Sequence, residues 1–280
     1  MFVSKHIVSR GRVAVTAVWL ALIVGLAACG GTEAGGTDLT IGASEYAFDV
    51  PSEVQAGYVN IRLKNNGQEP HHAQLVRFND GVTAEQFIGE LAGGNEAALG
   101  MISLEGGAGI TPPGATSPAA TSNLVAGNYA VMSFVPDAEG VPGFAKGMFT
   151  PFTVTGEGGG NAPEAGAQVT LADFSITVPD DLAADQVWQI TNNGPQPHEM
   201  AIIRLGEGMT FNDVAAWFAD PAGPPPYEDV GGLQGIMPGA TAFLDATFDP
   251  GTYVALCFIP DPATGQDHAS LGMVQEFTLP

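Results

Sequence analysis

Cysteine, histidine and basic residues are all scarce in this sequence. Its 280 residues include two cysteines, five histidines and eight lysines and arginines, against thirty aspartates and glutamates. Nucleic acids and anionic lipids are bound through clustered positive charge. The composition therefore disfavours both as ligands.

The N-terminal 28 residues have the pattern of an export signal. They contain three basic residues and no acidic residue, and an apolar run occupies residues 13–28. The run ends at Leu26-Ala27-Ala28-Cys29, which resembles the lipobox at which a lipid is attached to cysteine. We expect residues 1–28 to be a lipoprotein signal peptide, Cys29 to be lipidated and residues 29–37 to be a flexible tether. This places the protein at the extracytoplasmic face of the cell membrane, lipid-anchored.

Removal of the signal peptide leaves Cys257 as the only cysteine besides Cys29. An exported protein can form disulfides, but no intramolecular pair is available here once Cys29 is lipidated. The mature chain would also carry five basic residues against thirty acidic ones, a formal charge of −25. Such a charge suits docking to a basic partner, or solubility in a salty medium.

The rest of the chain is an internal repeat divided by a Gly-rich stretch at residues 156–166. We predict one domain at 38–155, a linker at 156–166 and a second domain at 167–280. Matching segments occur in the same order in both halves, 124–127 residues apart. They include Asn65-Asn66 with Asn192-Asn193, Pro70-His71 with Pro197-His198, Pro113-Gly114-Ala115-Thr116 with Pro238-Gly239-Ala240-Thr241, and Gly147-Met148 with Gly272-Met273.

Each half shows short runs rich in Val, Ile, Phe and Thr, with alternation of polar and apolar residues at 58–63 and 187–191. This pattern favours an all-β fold of antiparallel sandwiches. One helical pattern per half follows a threonine, at Thr83–Leu91 and Thr210–Ala219. We expect these two short helices to be inserted beside the sheets.

The second half contains His198, Cys257, His268 and Met273, which provide two imidazoles, a thiolate and a thioether. A trigonal His2Cys plane with a weak axial methionine is typical of blue-copper electron-transfer sites. Taken singly, each of these residues is more often part of an ordinary core. Their joint presence in one repeat predicts copper.

Three segments carry a resemblance to the cupredoxin family of blue-copper proteins, and to its plastocyanin-like members in particular. The first is Asn192-Asn193 followed by Pro197-His198, the second is Asp249-Pro250-Gly251-Thr252-Tyr253 leading to Cys257, and the third is His268-Ala269-Ser270-Leu271-Gly272-Met273. The resemblance implies two tandem cupredoxin-like Greek-key β-sandwiches. It also implies one type 1 copper in the second domain, with His198, Cys257, His268 and Met273 as ligands.

The second half departs from the family pattern in two places. Ten residues separate Cys257 from His268, where plastocyanin-like members have only a few; the insert 260–265 consists of turn-forming residues that suit a small hairpin. Glu199 follows the first histidine, where many members have an asparagine that ties the ligand loops together.

The first half lacks a complete set of copper ligands. Ser133 takes the place of the cysteine and Gly143 that of the second histidine, which leaves His71 and Met148. His72 lies beside His71, and the pair is either a weaker copper or zinc site or a surface pair. We expect the first domain to be a scaffold that positions the second or binds a partner.

The function expected from these residues is single-electron transfer to an extracytoplasmic redox protein, and a basic surface on that partner would suit the acidic chain. Copper carriage is a related alternative. Copper nitrite reductases and multicopper oxidases also resemble this chain in their repeated domains. They need further histidines and a histidine before the cysteine ligand, where this chain has Leu256. We therefore expect no enzyme activity. A metal-free binding or structural module is the third interpretation.

Overall fold

The computed structural model describes residues 36–280, except for Asn95 and the side chains of Glu96 and Ala97. The predicted signal peptide, Cys29 and nearly all of the predicted tether lie outside these residues. In the first half the strands are β1 Thr37–Ser44, β2 Ala47–Asp49, β3 Glu53–Gln55, β4 Gly57–Asn65, β5 His71–Phe78, β6 Ile102–Thr111, β7 Ala120–Leu124, β8 Gly127–Met132 and β9 Phe149–Thr155. In the second half they are β10 Ala167–Ala172, β11 Ser175–Thr177, β12 Asp185–Asn192, β13 His198–Leu205, β14 Tyr227–Ile236, β15 Thr241–Thr247, β16 Gly251–Leu256 and β17 Val274–Leu279.

Two α-helices occur in the described residues, α1 Ala84–Ala92 and α2 Phe211–Ala219. Each begins immediately after the threonine that the sequence indicated, because Thr83 and Thr210 both form capping boxes with the third helical residue. Short 3-10 helices occupy Glu96–Met101 and Gly143–Lys146. No helix in the described part of the chain is both long and apolar enough to span a membrane. The prediction of an all-β fold with a short α-helix inserted in each half is confirmed.

The strands form two sheets, each of which runs through both halves of the chain. One has the order β11-β10-β12-β15-β7-β4-β1-β2 and the other β17-β16-β13-β14-β6-β5-β8-β9-β3. In β4 buried residues alternate with less buried ones, as expected of a strand with one face toward a core. The domain boundaries at 38–155, 156–166 and 167–280 remain predictions, but no strand occurs between Thr155 and Ala167.

The two halves join through strands that are equivalent in the repeat. β6 pairs antiparallel with β14, and β7 pairs antiparallel with β15. In the first pair Ala108 lies opposite Leu233, its own counterpart 125 residues later. The junction therefore relates the halves by a pseudo-twofold axis, as an isologous interface between two subunits would.

Each half also has its own apolar core between the sheets. A fully buried tyrosine marks the same place in both. Tyr129 donates its hydroxyl hydrogen to the carbonyl oxygen of Val125, and Tyr253 donates to that of Asp249. The tyrosine thus fixes the turn before β8 or β16, and in the second half β16 leads directly to Cys257.

Candidate metal centre

Adjacent strands bring the first histidine and the cysteine to one end of the second sheet. His198 is the first residue of β13 and Cys257 directly follows β16. These strands are antiparallel neighbours, with Ala201 opposite Leu256. The start of one strand therefore lies beside the end of the other.

The Asn-Asn motif before His198 has a structural role in this arrangement. Asn192 is fully buried and donates from Nδ2 to the carbonyl oxygens of Gln196 and Ile236, at 2.8 and 3.1 Å. Its Oδ1 accepts a hydrogen bond from Gly194 N–H at 2.9 Å. Asn192 thereby fixes the loop that leads into Pro197 and His198. Asn65 makes the corresponding bonds to Glu69 and Thr111 in the first half, which explains why the motif is repeated.

The second histidine and the methionine come from the loop between β16 and β17. His268 N–H donates to the carbonyl oxygen of Ile259 at 3.0 Å, and Met273 N–H donates to that of His268 at 2.8 Å. The inserted residues close on themselves, because Asp261 N–H donates to Gln266 O at 2.8 Å and Pro260 forms a bridge with Asp267. The ten intervening residues thus fold as a small hairpin and return the chain to the site.

Three potential metal ligands converge in this region. His198 Nδ1 lies 3.1 Å from His268 Nδ1, and Cys257 Sγ lies 3.4 Å from the same Nδ1 atom. All three side chains are buried, and their ligand atoms lie within 4.8 Å of one another. Met273 is fully buried in the same core cluster as Cys257. This buried His-Cys-His cluster fits a type 1 copper site.

The outer nitrogen of each histidine is held by a side chain. His198 Nε2 lies 2.9 Å from Asp173 Oδ1, and His268 Nε2 lies 3.2 Å from Gln196 Oε1. The amide nitrogen of Gln196 donates to Asp173 at 3.2 Å and to Asp261 at 3.1 Å. Acceptors at Nε2 place the proton there and leave Nδ1 free to bind a metal, which is the usual effect of an oxygen atom that bonds to the outer nitrogen of a metal-binding histidine.

The sulfur has an environment that suits a metal-bound thiolate. Glu199 N–H donates to Cys257 Sγ at 3.4 Å. Burial first, and then the charge of Glu199, raise the pKa of the Cys257 thiol. A bound cation would reverse this preference, because a coordinating thiol loses its proton. Burial also lowers the pKa of His198 and of His268, which favours the neutral imidazoles that metals bind.

Glu199 links two strands of the site, although many members of the family have asparagine at its position. Its carboxylate accepts a hydrogen bond from Phe258 N–H at 2.8 Å, so it connects the first histidine's strand to the residue after the cysteine. Burial raises the pKa of Glu199 to about 7.

The first half does not assemble an equivalent group. Within the described residues, the one cluster of three or more histidine, cysteine or acidic side chains with metal-binding spacing is that of the second half. His71 Nε2 lies 3.6 Å from Glu45, whereas His72 Nε2 accepts a hydrogen bond from Phe134 N–H at 2.7 Å. His72 is buried, and burial lowers its pKa to about 3. The pair is therefore neither exposed nor directed at a common ligand.

Sequence reasoning singled out the three converging residues, and Met273 as a fourth ligand stays a prediction. It gave no indication of Asp173, Gln196 or Asp261. Gln196 lies inside the repeated Asn-Asn motif, and that position was the only available signal. Asp173 follows β10 in a short turn before β11, where nothing in the local sequence indicates a contact with a histidine.

No protein-family model matches the sequence. No curated protein matches it either.

Solved structures similar to this chain include two auracyanins and a nitrite reductase. Auracyanin A of Chloroflexus aurantiacus, a blue copper protein, is 23% identical with a TM-score of 0.30, over 43% of this chain and 100% of its own. The auracyanin of Roseiflexus castenholzii is 17% identical with a TM-score of 0.29, over 43% and 98%. The copper nitrite reductase of Nitrosomonas europaea is 14% identical with a TM-score of 0.26, over 88% and 94%.

These neighbours correct the expectation that the chain is not an enzyme. Several are multicopper oxidases and copper nitrite reductases, and they match 86–89% of this chain, at 10–15% identity. Enzymes are therefore among the proteins similar to this two-sandwich architecture, and the exclusion drawn from histidine number and Leu256 was wrong. One fold can host unrelated functions, so function has to be argued from the site.

Proposed function

We propose that this protein is a membrane-tethered, extracytoplasmic copper protein that transfers single electrons through a type 1 copper in its second half. One observation carries the proposal, namely that His198, Cys257 and His268 converge within the core, where the two imidazole Nδ1 atoms lie 3.1 Å apart and the sulfur lies 3.4 Å from Nδ1 of His268. Copper held by these residues would supply a one-electron couple.

The surrounding residues support electron transfer because they hold the ligands in place. Asp173 and Gln196 fix the two imidazoles, and Glu199 connects the strands that carry His198 and Cys257. A site whose ligands are already held needs little rearrangement when the metal changes oxidation state. Met273 is the proposed weak axial ligand.

The tether and the location are proposed from the N-terminal sequence. The lipobox-like Leu26-Ala27-Ala28-Cys29 follows a basic and then apolar segment, as in exported lipoproteins. If Cys29 carries the lipid, Cys29→Ala should release the mature protein from the membrane fraction. Unchanged membrane association of this variant would contradict the anchor without affecting the copper proposal.

The copper proposal is tested with optical and electron paramagnetic resonance spectra of the copper-loaded protein. We expect one Cu(II) and an intense blue colour, because charge transfer from the thiolate requires direct coordination. Cys257→Ser should abolish the colour, since a hydroxyl is not a soft ligand and does not ionise near neutral pH. Ser133→Cys is the matched control in the first half and should add no second blue site. A colourless loaded protein whose Cys257 remains reduced and titratable would refute the proposal in favour of a metal-free module.

A further inference from the structure

The outer edge of His268 is closed to any partner protein. The residue has no exposed surface, its Nε2 is bonded to Gln196, and the ring of Phe174 lies edge-on at 5.5 Å. The hairpin formed by the inserted residues adds Asp261, which is bonded to the same Gln196. A redox partner therefore cannot contact the imidazole directly.

A group of aromatic rings leads from the other side of the site to the surface. Phe258 follows Cys257 in the chain, and its ring lies 5.9 Å from that of Phe218 on α2. Phe218 in turn contacts two further rings at 5.5–5.7 Å, and it is 39% exposed. We call this group the α2 aromatic cluster; its members are Trp217, Phe218, Tyr227 and Phe258.

The two halves differ at three of the four positions of this cluster, which distinguishes it from core residues that both halves share. Phe258 has an aromatic counterpart in the first half, Phe134, but the other three members do not. Their counterparts are Glu90, Leu91 and Ile102. By contrast, the position of Phe174 is also aromatic in the first half, where it is Tyr46. An aromatic residue in the turn between the first two strands thus occurs in both halves. The three surface rings occur only in the half with the candidate metal site.

The charge around α2 indicates the kind of partner. The chain contains no lysine or arginine after Arg204. Exposed acidic residues stand at the two ends of α2, Asp213 in its first turn and Asp220 at its C-terminal cap. An apolar and aromatic patch bordered by acidic residues is complementary to an electron-transfer protein with a basic rim.

We infer that the α2 aromatic cluster is the port at which a basic one-electron redox protein docks and exchanges electrons with the site. The inference rests on the proposed copper function and specifies where the partner binds. Tunnelling slows steeply with distance, and the covalent path from Cys257 into Phe258, followed by the contact with Phe218, reaches the surface without crossing the sealed histidine edge. In the forward step the partner loses one electron and Cu(II) becomes Cu(I), and no bond or proton changes place.

The test uses the lipid-free mature protein with a reduced basic c-type cytochrome as the probe. Phe218→Ala and Trp217→Ala change partly or well exposed side chains, so the fold should survive. We expect each to slow reduction of the site about tenfold at low salt, the effect of losing a typical interface anchor. Reduction by hexaammineruthenium(II), which needs no docking surface, should be unchanged. Leu91→Ala, at the position that corresponds to Phe218 in the first half, is the matched control and should exchange electrons at the parental rate.

A second measurement does not depend on electron transfer. Calorimetric binding of the same cytochrome to the Zn(II)-loaded protein should weaken in Phe218→Ala and Trp217→Ala and not in Leu91→Ala. Parental rates and affinities in both α2 variants would overturn the port while leaving a blue, redox-active protein. A colourless protein would instead overturn the proposed function, and the port with it.

Discussion

Gly143 and His268 hold equivalent places in the backbone of the two halves. Each carbonyl oxygen accepts a hydrogen bond from the methionine five residues later, Met148 N–H at 2.9 Å and Met273 N–H at 2.8 Å. The loops thus have the same backbone arrangement with and without a histidine. At Gly143 an added Cβ atom would lie 3.2 Å from Met148 Sδ and 3.2 Å from Ser133, a tighter contact than side chains usually make.

This relationship predicts that the chain binds a single copper. His198→Ala should lose the blue colour and the bound copper, because it removes one of three converging ligands. The equivalent change His71→Ala should leave the spectrum and the stoichiometry unchanged, because Ser133 and Gly143 supply no partner ligands. Elemental analysis and absorption spectra of both variants would check this. Loss of copper from His71→Ala would show that the first half takes part.

The second prediction concerns Met273, the proposed axial ligand. Met273→Leu should shift the reduction potential while leaving most of the blue colour, because the colour comes from the thiolate and the axial bond is long and weak. Met148→Leu is the matched control, since Met148 is also fully buried and the positions of the cysteine and the second histidine in its half are held by Ser133 and Gly143. Voltammetry of both variants gives the measurement. An unchanged potential in Met273→Leu would remove methionine from the ligand set.

The sequence singles out the three residues that converge in the second half because local motifs mark them. The prolines and asparagines before His198 are repeated, and the helix starts at Thr83 and Thr210 follow from capping chemistry that three or four residues specify. The hydrogen bonds around the histidines could not be predicted in the same way. Gln196 bonds to residues 23 and 65 positions away, so its role depends on the packing of separate loops.

The joining of the two halves was also beyond sequence analysis. The repeat predicts two similar sandwiches, but the same pattern of strands would fit two separate bodies. The close pairing of β6 with β14 depends on glycines that let two backbones approach. Glycines in a repeat are equally expected at turns, so their number alone does not indicate a shared sheet.

A third prediction concerns pH and the apoprotein. Burial raises the pKa of Asp229 from 3.8 to about 6. The folded state thus binds this proton more tightly than the unfolded state, and stability is lost as pH rises from about 4 to 6. Asp229→Asn should raise the free energy of unfolding at pH 7.5 by on the order of 2 kcal/mol and have little effect at pH 3.5.

The control for this prediction is Glu228→Gln, which neutralises the adjacent exposed carboxylate. Urea unfolding of the metal-free proteins at both pH values gives the comparison. The position of Asp229 is held by Leu104 in the first half, so an uncharged side chain is compatible with this part of the fold. Equal stability of Asp229→Asn and the parent at pH 7.5 would contradict the predicted cost of burying the charge.

The last prediction tests the shared sheet at Gly109 in β6. A Cβ atom there would lie 2.4 Å from the backbone of Gly231 in β14, so Gly109→Ala must push the two halves apart. Overpacking of this kind costs roughly 1–3 kcal/mol, which should appear as a lower urea midpoint. Gly89→Ala in α1 is the control: nothing lies within 4 Å of its added Cβ, and alanine favours a helix. If Gly109→Ala were as stable as Gly89→Ala, the close pairing of β6 and β14 would be wrong.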